Sequence, residues 1–306
     1  MITMTEATYP SRDGVHNIYY CVWMPENEPR GIVQISHGMC EYIGRYDHFA
    51  RFLASKGFIV CGNDHLGHGN SAEPEEWGYF APKDGFKILV RDLHTLTKLM
   101  KEQHPGLPYF LFGHSMGSFL ARAYCTWFGR ELTAAVFCGT NGIMKGTEGL
   151  LLAVDAEKQL HSEHYRSKTL NNIAFGQYCK RIQDPKTPYD WITRDDDIVD
   201  MYAHDERCTF VFTLNGFENL ARMIWFVSQD KWFSTLRKDL PVLLIAGDAD
   251  PVGEYGEGVK KVFNKLISYS CTARIRIYEG CRHELVNELN KEEVFSDVLD
   301  FFETYI

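Results

Sequence analysis

The stretch Leu107-Pro108-Tyr109-Phe110-Leu111-Phe112-Gly113-His114-Ser115-Met116-Gly117-Ser118-Phe119-Leu120-Ala121-Arg122-Ala123-Tyr124 decides how this chain is read. After the breaker Pro105-Gly106-Leu107-Pro108, four apolar residues read as a short buried strand, and Met116 onward reads as a helix. Between them lies G-x-S-x-G, a weak signal by itself that gains content from a strand before it and a helix after it. On such a turn Ser115 presents its hydroxyl at the end of a strand. Gly113 and Gly117 remove Cβ atoms that would collide there, and the helix N-terminus favours negative charge developing nearby. The plain alternative is an N-capping serine in a glycine-rich turn; the flanks favour a nucleophile.

A serine hydroxyl needs a base, and the base needs an acid to orient it. The G-x-S-x-G turn carries these in the order Ser, Asp or Glu, His. His161, His164, His204 and His283 follow Ser115, and His283 alone follows a strand-like run near the C-terminus. The preceding strand-like run, Pro241 to Ala246, leads into Gly247-Asp248-Ala249-Asp250-Pro251. Asp250, beyond the turn, is the favoured acid; Asp248 is the second candidate, and capping of the turn is the bland role for either. Acyl transfer also needs backbone donors aimed at the developing oxyanion. The N–H of Met116 is one, and that of Met39, in the loop His37-Gly38-Met39-Cys40-Glu41 after the run Gly31 to Ser36, is the other. His37 is read as a residue that bonds backbone to hold this loop.

Working outward, Asn17 to Trp23, Gly31 to Ser36, Phe58 to Cys61, Ala134 to Cys138, Pro241 to Ala246 and Ala273 to Tyr278 read as further strands. Helical patterns fall between several of them (about 46–55 and 84–103), and 284–305 reads as a closing helix, so the class is α/β with a mostly parallel sheet. Residues 141–237 lose the alternation and read as an inserted unit on top of the sheet. There Leu150 to Val154, Phe210 to Phe212 and Met223 to Val227 supply apolar surface for packing, for an acyl tunnel, or for both. With 32 basic against 41 acidic residues the formal charge is −9, which argues against a nucleic-acid partner. No run approaches the ~18 apolar residues of a spanning helix. Met1 to Glu6 has no signal-peptide pattern, and the nine cysteines are odd in number and lack CxxC pairs. Both point to a reducing, cytoplasmic setting. His65 and His68 flank Gly67 without a nearby third ligand, so a structural turn is preferred over a metal site. Asp195 to Asp197 reads as a solvated helix start, and Glu41 with Arg45 as a candidate ion pair.

His37-Gly38-Met39-Cys40-Glu41 with Gly44-Arg45-Tyr46, then Asp64-His65-Leu66-Gly67-His68-Gly69-Asn70-Ser71, then Gly113 to Gly117, resemble the monoacylglycerol lipase and lysophospholipase branch of the α/β-hydrolases. The resemblance covers about 9–139 and 240–306. It implies an eight-stranded sheet with helices on both faces, a core of residues 1–140 and 238–306, and a helical cap at 141–237. It also implies Ser115, Asp250 and His283 as catalytic triad, Met39 and Met116 as oxyanion donors, and neither cofactor nor metal. Cys40 stands where the family's loop has glycine, a departure that bears on loop flexibility and the pocket entrance. The implied activity is serine carboxyl-ester hydrolysis through an acyl-enzyme, on monoacylglycerol-like or lysophospholipid-like esters as small-molecule substrates, with transient contact between the cap and a membrane surface. The rivals are a short-chain carboxylesterase, an S33-type aminopeptidase or amidase using Glu163, Asp195 to Asp197 and Glu218 to bind an amine, and a non-catalytic ligand-binding homologue.

Overall fold

Strands that bury every residue, rather than alternate ones, are covered on both faces. In a computed structural model of the chain, which describes residues 1–142 and 147–306, the five central strands are of this kind. Residues 143–146, inside the inserted unit read at 141–237, lie outside the described residues. The strands are β1 (Thr3–Pro10), β2 (Asn17–Met24), β3 (Gly31–Ser36), β4 (Phe58–Asn63), β5 (Tyr109–His114), β6 (Ala134–Cys138), β7 (Val242–Gly247) and β8 (Ala273–Tyr278). They form one eight-stranded sheet in the order β1-β2-β4-β3-β5-β6-β7-β8. β1 and β2 pair antiparallel, as do β2 and β4, and all other pairs are parallel.

The helices are α1 (Asp47–Ser55), α2 (Gly85–Gln103), α3 (Met116–Phe128), α4 (Thr147–Lys158), α5 (Lys168–Phe175), α6 (Asp196–His204), α7 (Glu206–Thr209), α8 (Leu214–Ser228), α9 (Asp230–Thr235), α10 (Glu257–Ser268) and α11 (Lys291–Glu303). Successive side chains of a strand point to opposite faces. Accordingly Val33, Ile35, Phe110 and Phe112 pack with Phe49 and Leu53 of α1 and Val298 and Phe302 of α11. Ile32, Leu111 and Ala135 pack with Leu93 of α2, Leu120 of α3 and Val262 of α10 on the other face. The helices α4 to α9 all lie between β6 and β7 in the chain.

Two elements differ from the sequence reading. The residue pattern marks seven strands; the eighth, β1, is exposed at every residue but Tyr9 and forms the sheet edge, so no apolar alternation announces it. The closing helix starts at Lys291 rather than at residue 284, and Leu289 is 65% exposed. Glu288 turns inward there, accepting from Arg282 N (2.7 Å) and Arg194 Nε (2.8 Å), which ties this stretch to a loop instead of a helix.

Candidate active site

Ser115 closes β5 and precedes α3, with φ 53° and ψ −121°. A non-glycine residue at positive φ is strained and persists only where its surroundings fix it. Here Ser115 N donates to Cys138 O (2.9 Å), and Ser118 Oγ donates to Ser115 O (2.6 Å). The glycines are sterically required. A Cβ on Gly117 would lie 2.0 Å from Ser36 O, and one on Gly113 would lie 2.4 Å from Gly117 O. Among the described residues the Ser115 hydroxyl takes part in no hydrogen bond, and the side chain lines a cavity of about 520 Å³.

The same cavity is lined by His283, whose Nδ1 lies 3.0 Å from Asp250 Oδ2. A carboxylate only accepts, so Nδ1 carries the proton and Nε2 is left to accept one. Asp250 is fully buried and its Oδ1 accepts from Val252 N (2.8 Å). Asp248 is exposed and accepts from Gly280 N (2.7 Å), a turn cap away from the imidazole. His161, His164 and His204 do not line the cavity. Close backbone approach sets the His283 loop in place: a Cβ on Gly247 would lie 1.9 Å from Cys281 O, and one on Gly139 would lie 3.0 Å from His283 Cε1. Sequence reasoning missed both glycines; the positive φ of Gly139 (57°) is a tertiary requirement.

Met39 and Met116 also line the cavity. Met116 opens α3, whose first N–H groups have no partner within the helix. Met39 N makes no backbone hydrogen bond among the described residues. The next residue, Cys40, adopts φ 52°, the left-handed conformation that glycine takes more readily. Contacts to the inserted segment hold it there: Cys40 Sγ donates to Phe210 O (3.2 Å) and Tyr202 Oη donates to Cys40 O (3.0 Å). His37 bonds backbone as read, with Nδ1 donating to Gly38 O (2.8 Å) and Nε2 accepting from His65 N (2.9 Å).

The Glu41–Arg45 pair belongs to a buried network larger than the sequence suggested. Glu41 accepts from Gly38 N, Tyr46 Oη (2.9 Å) and Arg45 Nη1 (3.0 Å) and lies 3.0 Å from His114 Nδ1. Arg45 also makes a two-pronged pair with Glu284, at 2.7 Å on each arm. His114 Nε2 lies 3.3 Å from His283 O. Both ring nitrogens of His114 therefore face acceptors, the arrangement of an imidazolium. Burial pulls its pKa down, and the Glu41 carboxylate more than reverses this, leaving it above the usual histidine value. The network joins the Met39 loop, the Ser115 turn and the His283 loop.

His68 belongs to no such network. Its ring sits against Phe80, Phe210 and Phe212, and its Nε2 is buried without a partner among the described residues. Burial lowers its pKa from 6.5 to about 3. The unfolded chain binds a proton below pH 6.5 where the folded one does not, so this residue costs stability as pH falls from 6.5 towards 3. His68→Phe removes that term. Its stability relative to wild type should rise by ~2 kcal/mol between pH 8 and pH 5, checked by urea unfolding at both values. An unchanged difference would mean that His68 titrates normally in the fold.

The segment between β6 and β7 contributes to both packing and cavity. Val154, Phe212, Met223 and Val227 are fully buried, while Leu150, Phe210, Val211 and Ile224 line the cavity beside Ser115. None of its carboxylates lines the cavity. Glu218 pairs with Lys158 (2.7 Å) and Arg222 (2.7 Å), Glu163 pairs with Lys158 (3.1 Å), and Asp195 caps α6. No helix among the described residues is long and apolar enough to cross a membrane.

Comparison with known proteins gives the family. The family model described as serine aminopeptidase, S33, matches residues 27–290. The chain is 28% identical over 308 residues to a monoacylglycerol lipase of Mycolicibacterium smegmatis, covering 99% of each chain. It is 28% identical over 279 residues to the monoglyceride lipase of Homo sapiens, covering 87% of this chain and 80% of that one. The structure of a thermostable carboxyl esterase from Bacillus coagulans, solved in complex with glycerol, is similar with a TM-score of 0.93 and 34% identity, covering 100% and 99%. The chain belongs to the serine aminopeptidase S33 family of the α/β-hydrolase superfamily.

Proposed function

We propose that this protein is a serine carboxyl-ester hydrolase that cleaves monoacylglycerol-like or lysophospholipid-like esters through an acyl-enzyme. The observation that carries the proposal is one cavity wall bearing Ser115 on a strained turn, His283 with Nδ1 on Asp250, and the start of α3. His283 Nε2 takes the Ser115 proton as Oγ bonds to the ester carbonyl carbon. The carbonyl oxygen becomes an oxyanion held by the Met39 and Met116 N–H groups. His283 then gives its proton to the leaving alcohol, and water repeats the sequence to release the acid. Asp250 keeps the imidazole in its productive tautomer and stabilises the imidazolium without itself taking the proton. No cofactor enters this sequence.

Residues 1–140 and 238–306 act in this reading as the catalytic core, and 141–237 as a cap whose Leu150, Phe210 and Ile224 receive the acyl chain. The names of two relatives and a related esterase solved with glycerol support a glyceride head group. Exposed Leu152 (70%), Leu160 (79%) and Ile173 (64%) on the cap support transient contact with a lipid surface, while a net charge of −9 disfavours attraction to anionic lipid. The nine free thiols fit a reducing compartment such as the cytoplasm. An aminopeptidase needs an unmatched carboxylate for a free amine. The cavity's own carboxylates are matched, Glu284 by Arg45 and Glu41 by His114 together with Arg45.

The test is hydrolysis of p-nitrophenyl esters from acetyl to palmitoyl, beside an aminoacyl p-nitroanilide. The expected result is kcat/KM that climbs with acyl length and no cleavage of the anilide. Cleavage confined to acetyl and butyryl esters would make the protein a short-chain carboxylesterase, and rapid anilide cleavage would favour the peptidase.

A further inference from the structure

The side chain lying against the His283 imidazole comes from the inserted segment, not from the sheet. The rings of Trp191 and His283 are 5.0 Å apart at 42°. Trp191 sits in a single helical turn, Asp190–Ile192, whose backbone grips both neighbours of the histidine. Arg282 Nη1 donates to Asp190 O (2.6 Å) and Thr193 O (2.8 Å), and Glu284 N donates to Ile192 O (2.6 Å). Thr193 Oγ1 adds a bond to Asn287 O (2.9 Å). The Tyr178 ring packs edge-on to the indole at 4.8 Å and 75°. The indole is half-buried and lines the Ser115 cavity, and its position follows that of the histidine loop.

Resting on the reading of His283 as base, we propose that Trp191 is a positioning residue for it. Its indole holds the imidazole in place and stabilises the imidazolium that forms when the Ser115 proton moves to Nε2. The physical basis is the negative face of an aromatic ring, which attracts a cation within ~6 Å of its centroid, more strongly where water is excluded. The Oγ–H bond breaks, the Nε2–H bond forms, and the positive charge appears on the ring beside Trp191. The other groups around His283 are Asp250 on Nδ1 and His114, whose ring is 4.8 Å away and is tied to Glu41. Glu284 pairs with Arg45, Arg282 points to main-chain carbonyls, and the Tyr178 hydroxyl feels the Asp250 charge. Of these, Tyr178 alone packs its side chain on the indole, while Asp250, His114 and the Glu284–Arg45 pair are held by other groups; Trp191→Phe keeps a ring for Tyr178 to pack on.

The experiment is the pH profile of kcat and kcat/KM for Trp191→Leu and Trp191→Phe on a medium-chain p-nitrophenyl ester. Leucine keeps apolar cover without an aromatic face; phenylalanine keeps the face. Trp191→Leu should lower kcat by about 3- to 30-fold, the span set by a cation–π contact. The acid limb of kcat/KM should move down by about half a unit to one and a half units, because a less stabilised imidazolium releases its proton more readily. The enzyme becomes slower but more acid-tolerant. Trp191→Phe should keep the limb in place and stay within about threefold of wild type. A Trp191→Leu enzyme with unchanged kcat and acid limb and a raised KM would overturn the proposal, leaving Trp191 as pocket wall. Should Trp191→Leu not fold, fluorinated tryptophan in the wild-type chain, with Trp191→Phe as control, decides the matter. Fluorination weakens the ring's negative face, so it should lower the limb only where Trp191 is present, and an equal shift in both chains would overturn the proposal. Retained turnover in Ser115→Ala would instead refute the underlying mechanism, independently of Trp191.

Discussion

Ser115→Ala should lower kcat on a p-nitrophenyl butyrate substrate by a factor on the order of 10⁶, the loss seen when a serine nucleophile is removed from a triad that works as a unit. The fold should be untouched. The Ser115 hydroxyl makes no hydrogen bond among the described residues, whereas the turn is held by Ser115 N to Cys138 O and Ser118 Oγ to Ser115 O. A fluorophosphonate should add once to wild type, on the peptide containing Ser115, and not at all to the variant, as read by intact mass. Labelling at another serine, with turnover retained, would place the nucleophile elsewhere.

Asp250→Asn should cost ~10⁴ in kcat. The reason is tautomeric. An asparagine amide can donate to Nδ1, which moves the proton to Nε2, and a protonated Nε2 cannot accept from Ser115. Asp248→Asn is the matched control, because its carboxylate accepts from Gly280 N instead of facing the imidazole. That variant should keep its activity within a few-fold and lose about 1 kcal/mol of stability. If Asp248→Asn were the inactive one, the assignment of the acid would be reversed.

The parts of the site legible in the sequence are those fixed by local chain geometry. A strand, a two-glycine turn and a helix mark Ser115 without reference to anything distant. His283 and Asp250 follow because each comes at the end of a strand whose apolar run is readable and because the order along the chain is constrained. The parts that escaped depend on approach between distant segments. Glu284 reads as the first residue of a closing helix, and only the fold shows it paired with Arg45, 239 positions earlier. Trp191 lies in a segment without periodicity, and Gly139 and Gly247 matter only because the histidine loop passes against them. β1 escaped for a different reason: as an exposed edge strand it has no buried face to impose a pattern. Cys40 shows how a departure from a familiar loop is absorbed. Its backbone is left-handed, and bonds from Tyr202 and to Phe210 hold it there.

The most direct measurement is release of oleate from 1-monooleoylglycerol by wild type and by Ser115→Ala, each confirmed folded by circular dichroism. The expected result is steady release by wild type and none above the uncatalysed rate by the variant. A wild-type enzyme that cleaves acetyl esters yet leaves the monoglyceride intact would contradict the substrate assignment, and oleate release that survives Ser115→Ala would contradict the catalytic one.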